Sequence, residues 1–395
     1  MNAVQGTPER SAEPGQQFWT RSQLMVMAVM VVLAAALFAV TRFITSSYQK
    51  REEALAVEWF EQGQQKLQKG QPQQAVSAFR NALLYSQNNS LYRLRLAEAL
   101  AAGNHLQEAK DYLLSLWEEQ PGDGLVNLEL ARLAASQNNL HDVQRFYHGA
   151  IYGAWESDPP RHRRQARMEL IQYLLRQGMN EQAQSEVIAL AASLPPDDSA
   201  AMLETANLFM KTADFENAFS LYQKALKLRP DLGEAMKGAG ESALALSRYQ
   251  TAYHYLKQAA EYTHDPEVEQ RLQATERVLE ADPFKPGLSS DEKAQRAVEG
   301  FDQAGKRLES CNSAQTGMPS SDLYSVSELL SASNQWHKLY PRVTRARLAR
   351  DPGMIESVMQ LVFQIELQAQ QVCGSAQDAD LALLAIARHR EAVEQ

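Results

Sequence analysis

The sequence contains few cysteines and no excess of basic residues, and each shortage excludes a class of protein. Two cysteines in 395 residues are too few for a disulfide-rich scaffold or a four-thiolate zinc site. Lys and Arg number 39 against 48 Asp and Glu, so the formal charge is −9. This balance argues against a nucleic-acid-binding protein, because such proteins use basic residues to contact phosphates. With 45% apolar and 22% charged residues, most of the chain should be globular.

Motifs of the common enzyme classes are also missing from the sequence. It has no G-x-S-x-G nucleophile turn, no phosphate-binding glycine loop and no histidine pair at metalloprotease spacing. Ser290 and Lys293 fit the pattern S-x-x-K, but its companion motifs S-D-N and K-T-G do not occur. Ser289 and Glu292 instead predict a helix N-terminus with a capping box. We therefore expect a protein that is not an enzyme and uses no metal and no cofactor.

The longest apolar run lies near the N-terminus. Leu24 to Val40 contains no charged or polar side chain. If Thr41 is included and Arg42 is passed over, the apolar stretch reaches Ile44, which is about the twenty residues that a membrane-spanning helix needs. A cleaved signal peptide is the alternative, but the run is longer than the usual apolar region of such peptides. We expect residues 24–45 to be a transmembrane helix in contact with the lipid bilayer. Residues 1–23 are polar and are expected to form a disordered tail.

A period of about 34 residues runs through the middle of the chain. A small residue recurs six times, at spacings of 34, 34, 40, 35 and 34 residues: Ala75, Ala109, Val143, Ala183, Ala218 and Ala252. Three further positions keep the same register. They are Gly63, Ala97, Ala131, Ile171, Ala206 and Gly240; then Phe79, Leu113, Tyr147, Val187, Tyr222 and Leu256; and then Ala82, Leu116, Ala150, Leu190, Ala225 and Ala259.

Each of these units divides into two helices that pack as a hairpin. Breaks such as Lys69-Gly70 and Gly103-Asn104 separate the halves of a unit, and small residues on both sides let the helices approach closely. A single unit cannot bury its apolar face alone, so the units must stack. The longest spacing between units, 40 residues, contains an insertion around Asp158-Pro159-Pro160, where we predict a bend or loop. Residues 267–281 predict a further helix that covers the end of the stack.

These residues resemble the tetratricopeptide repeat (TPR) over about residues 56–266. Phe215, Ala218, Tyr222, Ala225 and Pro230 match the pattern of that family in the fifth unit, although Gln87, Trp155 and His264 stand where other units have a proline. The resemblance implies an all-α fold, a superhelix of helical hairpins with about six repeats and a capping helix over residues 46–282. We expect it to follow the transmembrane helix and to precede a small C-terminal α-helical domain, residues 283–395.

The resemblance further implies that the first helix of each unit lines a concave groove that binds partner proteins. The residues expected to face the groove are Phe60, Gln64, Leu94, Glu98, Leu128, Arg132, Met168, Gln172, Leu203, Asn207, Lys237 and Glu241. This set lacks the Lys/Asn/Arg pattern of family members that clamp a peptide carboxylate. An apolar groove that contains methionine suits an amphipathic helical segment of another protein. Alternatively, these residues pack between the helices of the repeats, or the chain's own C-terminal helices fill the groove.

The last hundred residues predict four helices, beginning near Ser289, Leu323, Gly353 and Ala379, of which the third is the most apolar. Both cysteines lie here, at the ends of the first and third of these helices, and three interpretations remain open. Cys311 and Cys373 form a disulfide in an oxidising compartment, or they are two unpaired buried thiols, or they join histidines in a metal site whose spacing matches no common motif.

The sequence as a whole predicts a single-pass membrane scaffold that binds other proteins and no nucleic acid. Basic residues near the apolar run number two before it and three after it, so charge does not set the orientation. The possible disulfide and the long N-terminal tail favour an inner-membrane protein whose soluble part lies in the periplasm. Such a scaffold would serve the assembly or maturation of an envelope or membrane complex. The alternatives are a stoichiometric subunit of a larger membrane complex and a cytoplasm-facing regulator of envelope biosynthesis.

Overall fold

The computed structural model describes residues 21–314, 323–374 and 376–394. Within these ranges the regular structure is helical and no β-strand occurs. The chain divides into two compact units, Met1–Arg163 and Arg164–Gln395. Most of the tail predicted over residues 1–23 lies outside the described residues, and helix α1 already begins at Arg21. The domain boundaries expected from the sequence, including the one at residue 283, stay predictions.

The first unit is a series of antiparallel helical hairpins. Its helices are α1 (Arg21–Gln68), α2 (Pro72–Tyr85), α3 (Ser90–Ala102), α4 (Leu106–Glu119), α5 (Gly124–Ser136) and α6 (Leu140–Tyr152). Helix α7 (Pro159–Arg176) crosses the division between the two units.

The second unit continues the hairpins and then changes its pattern. Its repeat helices are α8 (Asn180–Ala192), α9 (Ser199–Lys211), α10 (Phe215–Leu228), α11 (Gly233–Ala245), α12 (Tyr249–Thr263) and the additional helix α13 (Pro266–Ala281). The later helices are α14 (Ser290–Ala314), α15 (Leu323–Leu339), α16 (Arg345–Leu348), α17 (Pro352–Cys373) and α18 (Asp378–Glu394), with a 3₁₀ turn at Tyr340–Arg342.

The repeat register predicted from the sequence is confirmed by burial. All six small residues of the first register are fully buried, as are most members of the other three registers. The large apolar position fills the space between helices, and Phe79, Val187 and Leu256 are each 0% exposed there. The small residues therefore mark where the two helices of a hairpin touch, and the large ones mark where that contact is filled.

Gly63 shows how close the first hairpin is packed. A Cβ atom at this position would lie 2.5 Å from Cε1 of Phe79, a side chain that is fully buried. We expect Gly63→Ala to lower the free energy of unfolding by about 1–3 kcal/mol, because the core must shift to admit the methyl group. Chemical denaturation measures the change. Gly122→Ala is the control, since no atom lies within 4 Å of the added methyl group, and an equal effect of both changes would contradict the close packing.

The insertion in the fourth unit differs in detail from the predicted loop. The non-helical residues are 153–158, and Pro159 and Pro160 open helix α7, where proline is favoured because its missing N–H would have no partner. The non-helical residues 153–158 are joined to α5 by a hydrogen bond, in which Gly124 N donates to Ala154 O at 2.8 Å. The Trp155 ring stacks on His162 at 4.6 Å, so the insertion is packed against the repeats of the first unit.

The four predicted C-terminal helices are present, and the capping box at the first of them is confirmed. Ser289 N donates to the Glu292 carboxylate at 2.8 Å, and Glu292 N donates back to Ser289 Oγ at 3.3 Å. The 3₁₀ turn and α16 were not predicted. The apolar core of this region has α17 at its centre, and Trp336 of α15 stacks on Phe301 of α14 at 5.1 Å. Tyr249 of α12 donates to Ala385 O of α18 at 3.1 Å, which joins the last repeat to this core.

Candidate partner-binding surface

The predicted groove positions of the first unit fall into three groups. Leu94 is 5% exposed and Leu128 is 3% exposed, so both belong to the core and offer no surface to a partner. Phe60 is half-buried and its ring stacks on Tyr92 at 4.6 Å. Gln64 lies one turn further along α1 and is also half-buried.

The remaining positions of this unit line one hollow of about 300 Å³ between α3, α4 and α5. Glu98 and Arg132 both lie on its wall. Both charged side chains are held by neighbours on their own helices. Arg95 bonds both oxygens of Glu98, at 2.8 and 2.7 Å, and Arg132 bonds Glu129 at 2.6 Å. Both pairs form within a helix, so each charged side chain on this wall has a partner of opposite charge on its own helix.

In the second unit the predicted positions form an apolar edge with an exposed polar border. Met168 and Leu203 are half-buried and pack against the core of the repeats. Gln172 and Asn207 are exposed. Asn207 Oδ1 accepts a hydrogen bond from the hydroxyl of Tyr222 at 2.6 Å, and Tyr222 is buried, which raises its pKa. The side chain of Asn207 is therefore held in place by the core beneath it.

Lys237 and Glu241, the last two predicted positions, are engaged by the chain itself. Lys237 Nζ lies 2.8 Å from Asp265 and 3.3 Å from Glu267, at the start of α13. Arg271 of α13 lies 3.4 Å from Glu241. At this end of the repeats, helix α13 therefore occupies the face that the sequence assigned to a partner.

The ion pairs of Lys237 give a pH-dependent prediction. The Lys237 ammonium, followed by the Glu267 amide N–H, holds the pKa of Asp265 below its ordinary value. Such a carboxylate stabilises the fold above its unfolded pKa, and this stability is lost as the pH falls through the lowered folded pKa. Lys237→Met should raise the pKa of Asp265 toward 3.8 and reduce the stability lost on acidification below about pH 4.

An NMR titration of the Asp265 carboxyl carbon measures this shift. Lys224→Met removes a lysine from an exposed position of α10 and serves as the control. An unchanged Asp265 pKa in the Lys237→Met variant would show that the pair with Lys237 does not form in solution.

The sequence did not identify a cluster of buried charges in the C-terminal region. Arg307 of α14, Glu366 of α17 and Asp380 of α18 are each at most 5% exposed. Arg307 Nε lies 4.0 Å from Glu366, and Arg307 Nη1 lies 3.9 Å from Asp380. Burial, followed by the nearby Asp380, raises the pKa of Glu366 to about 8, although Arg307 acts against this shift. The only signal in the sequence is a glutamate within the apolar run of α17.

The disulfide lies beside this cluster. The structure joins Cys311 of α14 to Cys373 of α17, with their Cα atoms 5.6 Å apart. Arg307 Nη2 donates to Gly374 O, the residue after Cys373, at 3.3 Å. The C-terminal end of α14 and that of α17 are therefore held by a covalent bond and by a charged hydrogen bond. Among the described residues there is no group of three or more side chains that could hold a metal ion.

Comparison with known proteins identifies the repeats. Two family models, both described as tetratricopeptide repeat, match residues 66–133 and 168–233. The chain therefore contains tetratricopeptide repeats in its first and its second unit, as the sequence pattern indicated. Among the curated proteins no sequence match was found.

Several solved structures are similar in fold at low sequence identity. PilW, described as a type IV pilus biogenesis factor, is 18% identical, with a TM-score of 0.38 over 55% of this chain and 98% of its own. YrrB, described as a TPR protein with an unusual peptide-binding site, is 14% identical, with a TM-score of 0.38 over 51% and 99%. PilF of Pseudomonas aeruginosa is 16% identical, with a TM-score of 0.38 over 56% and 98%.

Proposed function

We propose that this chain is a single-pass membrane protein whose tetratricopeptide repeats form a scaffold for other proteins, in the assembly or maturation of an envelope or membrane complex. The observation that carries this proposal is helix α1. It runs for 48 residues without a break, from an exposed apolar segment directly into the first repeat hairpin. One described helix, over Met25–Gln68, is long and apolar enough to cross a membrane, and a signal sequence meets the same criteria.

The surface of α1 favours lipid as its surroundings. From Met25 to Ile44 the large apolar side chains are 47–72% exposed, and none packs into the repeats. Twenty helical residues span ~30 Å, the thickness of the hydrocarbon layer. Toward the end of this segment, Thr41 Oγ1 donates to Leu37 O at 2.9 Å, and Thr45 Oγ1 donates to Thr41 O at 2.7 Å. Their hydroxyl protons are therefore satisfied without water, as a lipid environment requires.

The continuity of α1 sets the distance between the membrane and the repeats. Ala56 is the first buried residue of the hairpin, and it follows Ile44 by three turns of helix, which corresponds to ~18 Å. A partner bound to the first repeats would therefore lie close to the bilayer surface. This placement suits a scaffold that holds membrane or envelope proteins better than one that acts on freely diffusing ligands.

The disulfide supports a periplasmic orientation, because disulfides persist in oxidising compartments and are rare in the cytosol. We therefore place the repeats and the C-terminal helices on the periplasmic side of the inner membrane. The basic residues that flank the apolar run, two before it and three after it, do not decide the orientation.

Fractionation of cells that express the full chain tests the anchor. The chain should stay in the membrane pellet after alkaline carbonate extraction, and a variant that lacks residues 24–45 should be soluble. Release of the full chain by carbonate, or processing of its N-terminus to remove the apolar segment, would refute the anchor.

Thiol trapping of the same cells tests the orientation. Acid quenching followed by a polyethylene-glycol maleimide under denaturing conditions should give no mass shift without reductant and two shifts after reduction. Two shifts without reductant would place the cysteines in the cytoplasm and favour the cytoplasm-facing regulator.

A further inference from the structure

A run of basic residues joins α15 to α17 in the second unit. Residues 337–350 contain five Lys and Arg and no Asp or Glu, in a chain whose formal charge is −9. We call these residues the basic turn; they include the end of α15, the 3₁₀ turn and α16. All five basic residues are exposed, so the segment concentrates positive charge on the surface of an acidic protein.

Buried residues hold the basic turn in place. Val343 is 9% exposed and Leu348 is 0% exposed, and both belong to the core of the C-terminal helices. Arg345 Nε donates to Asp291 Oδ1 at 2.9 Å, which joins the segment to the start of α14. The other basic side chains therefore project from a fixed support.

Four basic side chains of the turn form no ion pair within the described part of the chain: Lys338, Arg342, Arg347 and Arg350. The first two lie one helical turn apart, because Val343 N donates to Leu339 O at 3.1 Å and continues the hydrogen bonding of α15. The last two also lie one turn apart, because Arg350 N donates to Arg347 O at 3.2 Å. Five residue steps join the two pairs, which limits the distance between them to ~17 Å. Like charges this close repel one another, and an anionic surface relieves that repulsion.

An exposed aromatic residue lies between the basic side chains. Tyr340 is 56% exposed, and its ring centre is 4.9 Å from that of Trp336. Tyrosine is enriched at the interface between membrane and water, because its ring is apolar and its hydroxyl can stay hydrated. The basic turn therefore combines the two kinds of side chain that favour a lipid surface.

We propose that the basic turn binds the headgroups of anionic phospholipids, as a second contact with a membrane that does not depend on α1. Basic side chains are attracted to anionic lipids, and an aromatic side chain among them adds affinity. A lipid surface fits this patch better than a folded protein does, because headgroups can move to meet each cation. An acidic protein would need carboxylates fixed at four matching points.

Flotation tests this contact while the anchor is occupied. The full chain is inserted through α1 into phosphatidylcholine nanodiscs and is then mixed with vesicles of phosphatidylcholine, with or without phosphatidylglycerol. We expect at least fivefold more of the chain to float with the anionic vesicles than with the neutral ones. Sodium chloride at ~1 M, which shortens the Debye length to ~3 Å, should abolish this difference. Equal flotation with both kinds of vesicle, or a difference that survives the salt, would overturn the proposal.

The same experiment separates this contact from the anchor. A chain that does not enter nanodiscs refutes the anchor and leaves the basic turn intact. That chain is then mixed directly with the two kinds of vesicle, and the same results support or overturn the proposal. Empty nanodiscs are the blank.

Variants assign the binding to the basic turn. Flotation with anionic vesicles should fall to the level seen with neutral ones when the four unpaired charges are removed together, by Lys338→Gln, Arg342→Gln, Arg347→Gln and Arg350→Gln. The matched control removes four charges from exposed positions of the repeat helices, by Lys211→Gln, Lys224→Gln, Lys227→Gln and Lys257→Gln. Equal flotation of the two variants would overturn the proposal, because both lose the same net charge. Thermal unfolding shows that each is folded, and either pair of the basic turn, changed alone, carries the test if the fourfold variant is not.

Discussion

Replacing Cys311 and Cys373 with alanine is expected to lower the free energy of unfolding of the C-terminal helices by about 4 kcal/mol. The cysteines are 62 residues apart in sequence, and a cross-link of this span removes a large conformational entropy from the unfolded chain. The charged hydrogen bond from Arg307 to Gly374 beside the disulfide should be weakened as well, since it depends on the same two helix ends.

Hydrogen exchange over α14 and α17 measures this loss locally, so that the repeats do not obscure it. The same loss should follow treatment of the unmodified chain with a strong reductant. The repeat helices α9 to α11 are the internal control and should exchange as before. Unchanged protection of α14 and α17 in the double variant would show that the disulfide does not constrain the region.

We expect Glu366→Gln to stabilise the protein at neutral pH by a few kcal/mol. It should also remove most of the dependence of folding stability on pH between about 4.5 and 8. Glu366 is fully buried, and its pKa of about 8 lies above the ordinary value of 4.5. Between these two values the folded protein holds a proton that the unfolded chain has released. Stability should therefore fall as the pH rises from about 4.5 to 8, by up to ~1.4 kcal/mol per pH unit, and glutamine carries no such cost.

Denaturation at pH 5, 6, 7 and 8 measures this slope for the unmodified chain and the variant. Glu309→Gln is the control, because it removes a carboxylate from an exposed position of α14. If the unmodified chain is equally stable at pH 5 and pH 8, Glu366 is ionised in the folded protein and the interpretation of the buried cluster is wrong.

The repeats were predictable because their signal is local and repeated. Ala75, Ala218 and Tyr222 have the residue types that the hairpin contact requires, and the same choice recurs in every unit. The capping box of Ser289 and Glu292 was predictable for a similar reason, since its two partners are three residues apart.

The surface of the repeats was less predictable, because exposure depends on neighbours in space. Leu94 and Leu128 stand at repeat positions that were expected to face the groove, but both side chains are buried. Lys237 and Glu241 form ion pairs with residues at the start of α13 and within it. The sequence does not show which of those side chains will reach them.

The polar sites of the C-terminal helices required the structure. Arg307, Glu366 and Asp380 are far apart in sequence, and only the packing of α14, α17 and α18 brings them together. The only hint in the sequence is a glutamate within the apolar run of α17.

We propose that the repeats bind partner proteins beside the membrane through the face of their first helices. Quantitative pull-down of the full chain from membranes in mild detergent tests it most directly, with Gln172→Arg on α7 compared with Ser185→Arg on α8. Both residues are exposed, and only Gln172 lies on the predicted binding face. We predict that Gln172→Arg reduces recovery of the co-purified partners at least tenfold and that Ser185→Arg does not. Equal recovery with both folded variants would contradict the claim.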